Sequence, residues 1–325
     1  MAETEFAQAR QLDTGAIPVI DIAGALDGSD LPGVAAQIRA AATDVGFFYI
    51  KGHGIAPELM AQAFAVARDF FALPEAMKTR VAVGTDQRGW MATGMSRLAG
   101  SKTHDLKEVF FWGSEIAPDD PDLAAAKPLV ALNKWPADFP RLRAELFPYY
   151  DALCAVAAEV LSAVAVSLEV DADVFRPHYV RPMARGQLVY YPPSSEADEV
   201  EERFGVAPHT DFGVLTFLLQ DDSGGLQVRL PTGDWVEAPP LPGTLVCNIG
   251  DLLQRWSNDR FVSTVHRVIN RSAEARYSIP IFFDPHTDTV IDPRDLGAME
   301  PKHAPVTAGG HIAGRNAASF KQHRR

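Results

Sequence analysis

The chain has 325 residues, enough for one large domain or two small ones, and its 47% hydrophobic and 22% charged content suits a globular protein with a sizeable core. A formal charge of −12 argues against a nucleic-acid partner, which needs a basic face, but leaves room for a small anion held by one buried arginine. No apolar run approaches the roughly 18 residues of a membrane span, and Met1–Arg10 is polar and acidic, so neither a span nor a leader is expected. Cys154 and Cys247 fall in apolar helical and strand patterns, and two buried, reduced thiols in the cytoplasm are the expectation.

In chain order, Ile17-Pro18-Val19-Ile20-Asp21 reads as a short strand. Behind Asp30 and Pro32, Val34, Ile38, Ala41, Ala42 and Val45 recur at helical spacing. Gly46-Phe47-Phe48-Tyr49-Ile50 reads as a buried strand that stops at Gly52-His53-Gly54, where His53 is expected to pack a turn. Pro57 opens a second helix with Leu59, Ala63, Ala67 and Phe70 on one face. Residues 84–104 lack periodicity and read as a loop or lid. A long helix follows Asp138, with a stripe from Leu142 through Leu146, Tyr149, Leu153, Val156, Val160 and Val164 to Leu168, and with Pro148 as a candidate kink.

From about Gly186 the period changes. Short strands are expected at 187–191, 213–219, 226–229, 234–237, 243–248, 262–269 and 276–283, separated by Pro- and Gly-rich turns. That count and spacing mean a sandwich or jelly roll. The tail after Pro301, ending in Lys321-Gln322-His323-Arg324-Arg325, is expected to be mobile. The chain thus reads as one unit over 1–325, with an α-rich region and lid over 1–175, a β core over 176–285 and an extension over 286–325.

Chemistry concentrates in that β core. His209 and Asp211 are two apart, so one strand or its end can aim both at one ion. His266 lies in Val265-His266-Arg267-Val268, another strand pattern. Two imidazoles and one carboxylate are the facial-triad set for ferrous iron, which leaves positions for O2 and a chelating cosubstrate. A structural zinc site would close all four of its positions instead. Ten residues after His266, Arg276 and Ser278 share a face and offer a two-point grip on a carboxylate.

These strings resemble one family over most of the chain. They are the 17–21, 46–50 and 52–54 segments, Tyr190-Tyr191-Pro192-Pro193, His209-Thr210-Asp211, Leu226-Gln227-Val228, Asn248-Ile249-Gly250-Asp251, Ser263-Thr264-Val265-His266-Arg267-Val268 and Arg276-Tyr277-Ser278. In this order they are similar to the isopenicillin N synthase-like branch of the iron(II)/2-oxoglutarate-dependent dioxygenases. The resemblance implies a mainly β fold with flanking α, a double-stranded β-helix (distorted jelly roll) behind an N-terminal helical region. It implies Fe(II) on His209, Asp211 and His266. It also implies 2-oxoglutarate chelating that iron, with its distal carboxylate on Arg276 and Ser278 and with Tyr191 hydrogen-bonding nearby. Val189 stands where plant members commonly carry an asparagine. In the name-giving enzyme the Arg-x-Ser pair grips the substrate's own carboxylate, so Arg276 and Ser278 specify an acid without saying which.

Substrate contacts are nominated more loosely. Asn248 ends a strand that can face the pocket, and Phe283 lies beyond the Arg-x-Ser string, although alternation admits only one of Phe282 and Phe283 inward. Phe212, the residue after Asp211, is expected to face away, and Arg97 and Lys102 to belong to a solvated lid. The resulting expectation is an oxygenase that hydroxylates, desaturates or cyclises a small organic molecule while O2 and 2-oxoglutarate give succinate and CO2. The rivals are a 2-oxoglutarate-independent oxidase, an ethylene-forming type, a jelly-roll protein that only binds a small acid, and a zinc hydrolase. Substrate identity lies in lids and loop side chains, for which 84–115 and 285–300 are the candidates, and a fold does not supply it.

Overall fold

The computed structural model describes residues 16–97, 102–195, 197, 198 and 201–319. Met1–Arg10, residues 98–101 of the expected lid and Lys321–Arg325 lie outside the described residues. Helix α1 (Leu31–Asp44) starts where its cap chemistry dictates: the Asp30 carboxylate accepts from Gly33 N at 3.0 Å, and Pro32 occupies the first turn, where a missing N–H costs nothing. Helix α2 (Pro57–Phe71) buries Ala63, Ala67 and Phe70. Helix α3 (Arg141–Ser167) has 27 residues and contains Pro148. By length and composition α3 could cross a membrane, but its stripe from Leu142 to Val164 is buried in the core of the fold.

The strands are β1 (Val19–Asp21), β2 (Phe47–Lys51), β3 (Gly89–Met91), β4 (Glu108–Gly113), β5 (Arg185–Tyr191), β6 (Val206–His209), β7 (Leu215–Gln220), β8 (Leu226–Arg229), β9 (Trp235–Glu237), β10 (Leu245–Ile249), β11 (His266–Val268) and β12 (Arg276–Phe283). Eight of them form one sheet in the order β1-β2-β10-β7-β12-β5-β4-β3, and four form a second in the order β6-β11-β8-β9. All pairings except β1 with β2 are antiparallel. The sheets are those of a jelly-roll fold, without a closed barrel.

Strand alternation sorts the side chains of the large sheet. Phe48, Ile50, Leu188, Cys247, Ile279, Ile281 and Phe283 join the core shared with the helices. Phe47, Tyr49, Val109, Val189, Tyr191 and Val246 pack with Val206, Leu226, Val228 and Val268 of the small sheet. The polar exceptions on this inner face surround the site described below. One glycine is essential to that layering: Gly46 has φ +69°, and a Cβ there would lie 2.1 Å from Val262 O. Thr264 Oγ1 donates to Val45 O at 2.6 Å, so the start of β2 fixes the segment that leads into β11.

Several elements escape the sequence reading, each for a physical reason. Pro208 lowers the strand signal of β6, and β6 is an edge strand, where a missing N–H is tolerated. Strand β3 falls inside the aperiodic 84–104 segment, and β4 is a short apolar run that periodicity cannot assign. Helix α4 (Asp251–Trp256) is too short to show a period. Asp251 is its first residue and accepts from Ser263 Oγ at 2.8 Å. The tail beyond Pro301 is not uniformly mobile: β13 (Val290–Ile291) pairs with β14 (Val306–Thr307), and helix α5 (Ala308–Ser319) follows. Three glycines weaken the propensity of α5, but burial of Ala308 and Ile312 outweighs that. His53 packs its turn as expected, with Nδ1 accepting from Ile55 N at 3.1 Å.

Candidate metal centre and its cavity

His209 is the last residue of β6 and His266 the first of β11, and the two are directly opposed in the antiparallel register. Their ring centroids are 4.2 Å apart. Asp211 lies two residues beyond the end of β6, and its Oδ1 is 3.8 Å from the Nε2 of each histidine. The ligand-capable atoms of the three lie within 4.8 Å of one another.

Supporting groups orient every donor. Thr216 Oγ1 and Asn248 Nδ2 donate to Asp211 Oδ2 at 2.6 and 2.8 Å, leaving Oδ1 to face the imidazoles. His209 Nδ1 is 2.9 Å from Ala207 O, and His266 Nδ1 is 3.1 Å from Thr264 O. Each Nδ1–H therefore donates to a carbonyl and leaves the Nε2 lone pair for a metal. The Phe47 ring meets His266 edge-on at 5.1 Å. Burial and then the neighbouring His266 lower His209 to about 3, so it is neutral near pH 7. Burial would raise Asp211, but both imidazoles and the hydrogen bonds from Thr216 and Asn248 outweigh it and hold the carboxyl below its usual range. Two imidazole nitrogens and one carboxylate oxygen gathered at one place fit a divalent ion that keeps open positions.

A second group, Asp122, His286 and Asp288, is comparably close but already has its cations. Lys127 Nζ is 2.7 Å from Asp122 Oδ1 and also pairs with Asp288, while Arg181 Nη1 is 2.8 Å from Asp122 Oδ2.

Arg276 and Ser278 line the same cavity as the triad, a space of about 150 Å³. Arg276 is fully buried. Its Nε donates to Gly224 O at 2.5 Å and its Nη2 to Gln220 Oε1 at 3.2 Å, while Nη1 has no partner. Tyr191, opposite Arg276 in register, lays its ring under the guanidinium at 4.6 Å. Val189 is opposite Ser278. An orphaned N–H on a buried guanidinium without a carboxylate fits a missing anion.

Three expectations about this cavity need correction. Phe283 does not reach it: on β12 it points with Ile279 and Ile281 into the helix-side core and stacks on Tyr179 at 5.0 Å. Phe282 lines the cavity instead, because it shares the face of Arg276, Ser278 and Pro280. Phe212 does not face away. It lies past the end of β6, where alternation no longer applies, and lines the cavity beneath the Arg315 guanidinium at 4.6 Å. Asn248 lines the cavity, but its amide is engaged with Asp211, so it serves a ligand before any substrate. Arg97 and Lys102 do not line it, and Lys102 pairs with Glu202 on the surface at 3.6 Å.

Other lining residues escaped the sequence reading. Thr216 faces Asn248 across β7 and β10, and a polar residue inside each of two apolar strands was an available signal. Arg88, Arg185, Ile312 and Asn316 had none, since tertiary packing alone brings them in. Asn316 Nδ2 donates to Gln87 Oε1 at 3.1 Å, and Arg315 pairs with Asp251 at 3.1 Å, so α5 closes one side of the cavity. Asn248→Ala is expected to weaken Fe(II) affinity by roughly tenfold to a hundredfold, as loss of a group that orients a ligand does. Anaerobic metal titration of the folded variant checks this.

Residues 17–138 match the family of the non-haem dioxygenase in morphine synthesis, N-terminal part, and residues 184–285 match the 2OG-Fe(II) oxygenase superfamily. A 2-oxoglutarate-Fe(II) type oxidoreductase of Emericella nidulans is 34% identical over 314 residues, covering 93% of this chain and 90% of its own. The homoarginine-6-hydroxylase of Oryza sativa subsp. japonica is 34% identical over 328 residues, covering 95% and 98%. Among solved structures, a full-length Neurospora crassa protein in complex with alpha-KG and thymine superposes with a TM-score of 0.82 at 30% identity, over 93% of this chain and 96% of that one. JOX2 in complex with 2OG, Fe and JA gives 0.76 at 30%, over 90% and 83%. The chain is therefore an Fe(II)- and 2-oxoglutarate-dependent oxygenase and belongs to the 2OG-Fe(II) oxygenase superfamily.

Proposed function

We propose that this oxygenase hydroxylates a small organic molecule, with Fe(II) on His209, Asp211 and His266 and the distal carboxylate of 2-oxoglutarate on Arg276 and Ser278. One observation carries the assignment: a three-donor cluster and a buried guanidinium with an orphaned N–H open into the same cavity. When bound, the metal and cosubstrate supply O2 reduction coupled to loss of CO2 from 2-oxoglutarate, one oxygen atom going to succinate and the other to a substrate carbon.

The protein's own residues supply position and exclusion of water. Thr216 and Asn248 hold the Asp211 carboxylate in one rotation. The backbone carbonyls of Ala207 and Thr264 fix the histidine tautomers. Tyr191 supports the Arg276 guanidinium from one side, and Val206, Leu218, Leu226 and Val268 make the surroundings apolar. A low local dielectric strengthens a guanidinium–carboxylate pair. Among the described residues of the cavity no protein acid/base pair is needed for this chemistry. Two free thiols, Cys154 and Cys247, support a cytoplasmic setting.

Succinate formed per O2 consumed tests the reaction. Equal amounts are expected, with both lost on iron chelation. O2 uptake without succinate would instead indicate an oxidase that takes its electrons from the substrate.

A further inference from the structure

The triad and Arg276 occupy only part of the cavity. Along β12 the inward residues run Arg276, Ser278, Pro280, Phe282, and along β5 they run back from Tyr191 to Arg185. Six strand steps lead from Arg276 to Phe282, roughly 20 Å. The far end therefore has its own chemistry, and it is cationic.

Arg185 lies there with Nη2 2.8 Å from Asp284 Oδ2 and its guanidinium 5.5 Å from the centre of the Phe282 ring. Asp284 is fully buried and also accepts from Val214 N, so it is the committed partner of Arg185. Arg88 has no such partner. It is buried, and among the described residues no carboxylate lies within ion-pairing distance of it. Its Nη1 and Nη2 donate only to the carbonyls of Gln87 and Leu129, and its Nε has no partner. Asp86, on the neighbouring segment, is paired with Lys134 at 2.7 Å. Two guanidiniums thus share this end with one carboxylate.

The place for Arg88 is built in. Gly113 ends β4 without a positive φ, so nothing in its backbone demands glycine. A Cβ there would lie 2.5 Å from Arg88 Nη2 and displace the guanidinium. Burial first, and then Arg185, push the Arg88 guanidinium down to about 10, which is the cost of holding a second cation there. A buried charge with carbonyl acceptors but no carboxylate, and with its Nε unsatisfied, fits a ligand that completes it. Between this end and the triad the lining includes Phe212, Phe282 and Ile312, with the Gln187 amide as a polar neighbour on β5 between Arg185 and Val189.

We propose that Arg88, beside Arg185, receives the carboxylate of a small substrate acid whose body is flat and apolar and lies among Phe212, Phe282 and Ile312. The proposal rests on the oxygenase reading above and adds the substrate class to it. The acid enters beside 2-oxoglutarate, not in its place.

The test is calorimetric titration of the Fe(II)-loaded protein with saturating 2-oxoglutarate and O2 excluded, so that nothing turns over. Benzoate, phenylacetate and cyclohexanecarboxylate are compared with their amides. At least one acid is expected to bind, with its amide roughly tenfold weaker or worse, the discrimination a charge-assisted pair gives. Arg88→Gln should weaken that acid by roughly tenfold to a hundredfold and leave the separate 2-oxoglutarate titration unchanged. Gly113→Ala keeps the arginine but moves it, and should weaken the acid in the same direction if Arg88→Gln fails to fold. Amides binding as tightly as acids, no acid binding, competition with 2-oxoglutarate, or acid affinity within about twofold in the folded variants would each overturn the proposal. Loss of 2-oxoglutarate binding in the unmodified protein would overturn the reading beneath it.

Discussion

His209→Ala is expected to lose substrate-dependent succinate formation by more than about a hundredfold, beyond the range for groups that only orient a ligand. The variant removes one of three donors and leaves Asp211 and His266 too few to hold a divalent ion in one geometry. The fold should survive, since His209 ends an edge strand and its side chain is held by one hydrogen bond to Ala207 O and by its ring contact with His266. Two measurements separate the causes. Thermal denaturation without metal should stay close to that of the unmodified protein, while the stabilisation that Fe(II) gives by binding only the native state should vanish. A variant that kept a tenth or more of its succinate formation with iron present would remove His209 from the metal.

Arg276→Leu should weaken 2-oxoglutarate on the order of a hundredfold, as truncating one member of a buried charge pair costs about 2–5 kcal/mol. Arg276 is fully buried, its Nε and Nη2 are engaged, and only Nη1 waits for an acceptor. Leucine keeps much of the volume beside Tyr191, so the loss reports the charge and its fork more than a cavity. Iron affinity should change little, because the guanidinium is held by Gly224, Gln220 and Tyr191 and not by the three metal donors. Titrating 2-oxoglutarate and substrate separately decides which acid the pair holds. A weakened substrate with 2-oxoglutarate unchanged would mean that Arg276 and Ser278 grip the substrate's carboxylate.

These two variants address residues that spacing made visible. His209 and Asp211 are two apart, Arg276 and Ser278 are two apart, and strand alternation turns such spacing into shared direction. The same rule left Phe282 and Phe283 as alternatives, and the face carrying Arg276 and Ser278 selects Phe282. Alternation failed at Phe212 because β6 has already ended there. It could not be applied to β6 itself, where Pro208 masks an edge strand.

The distant parts of the cavity were illegible for another reason. Arg88, Asn316 and Ile312 come from segments that read as lid and tail, and none carries a local sign of the site it joins. Asn316 meets Gln87 across 229 positions of sequence. The sequence by itself determined the donor set, the basic residue for an acid, and the strand period that aims them, because each depends on neighbours one or two residues away. Only the tertiary structure decided that His209 and His266 are opposed in register, that Asp284 satisfies Arg185 but leaves Arg88 unpaired, and that α5 closes the cavity. Those outcomes depend on how β6, β11, β12 and the C-terminal helix pack against one another. Packing sums contacts between distant residues, which no local pattern records.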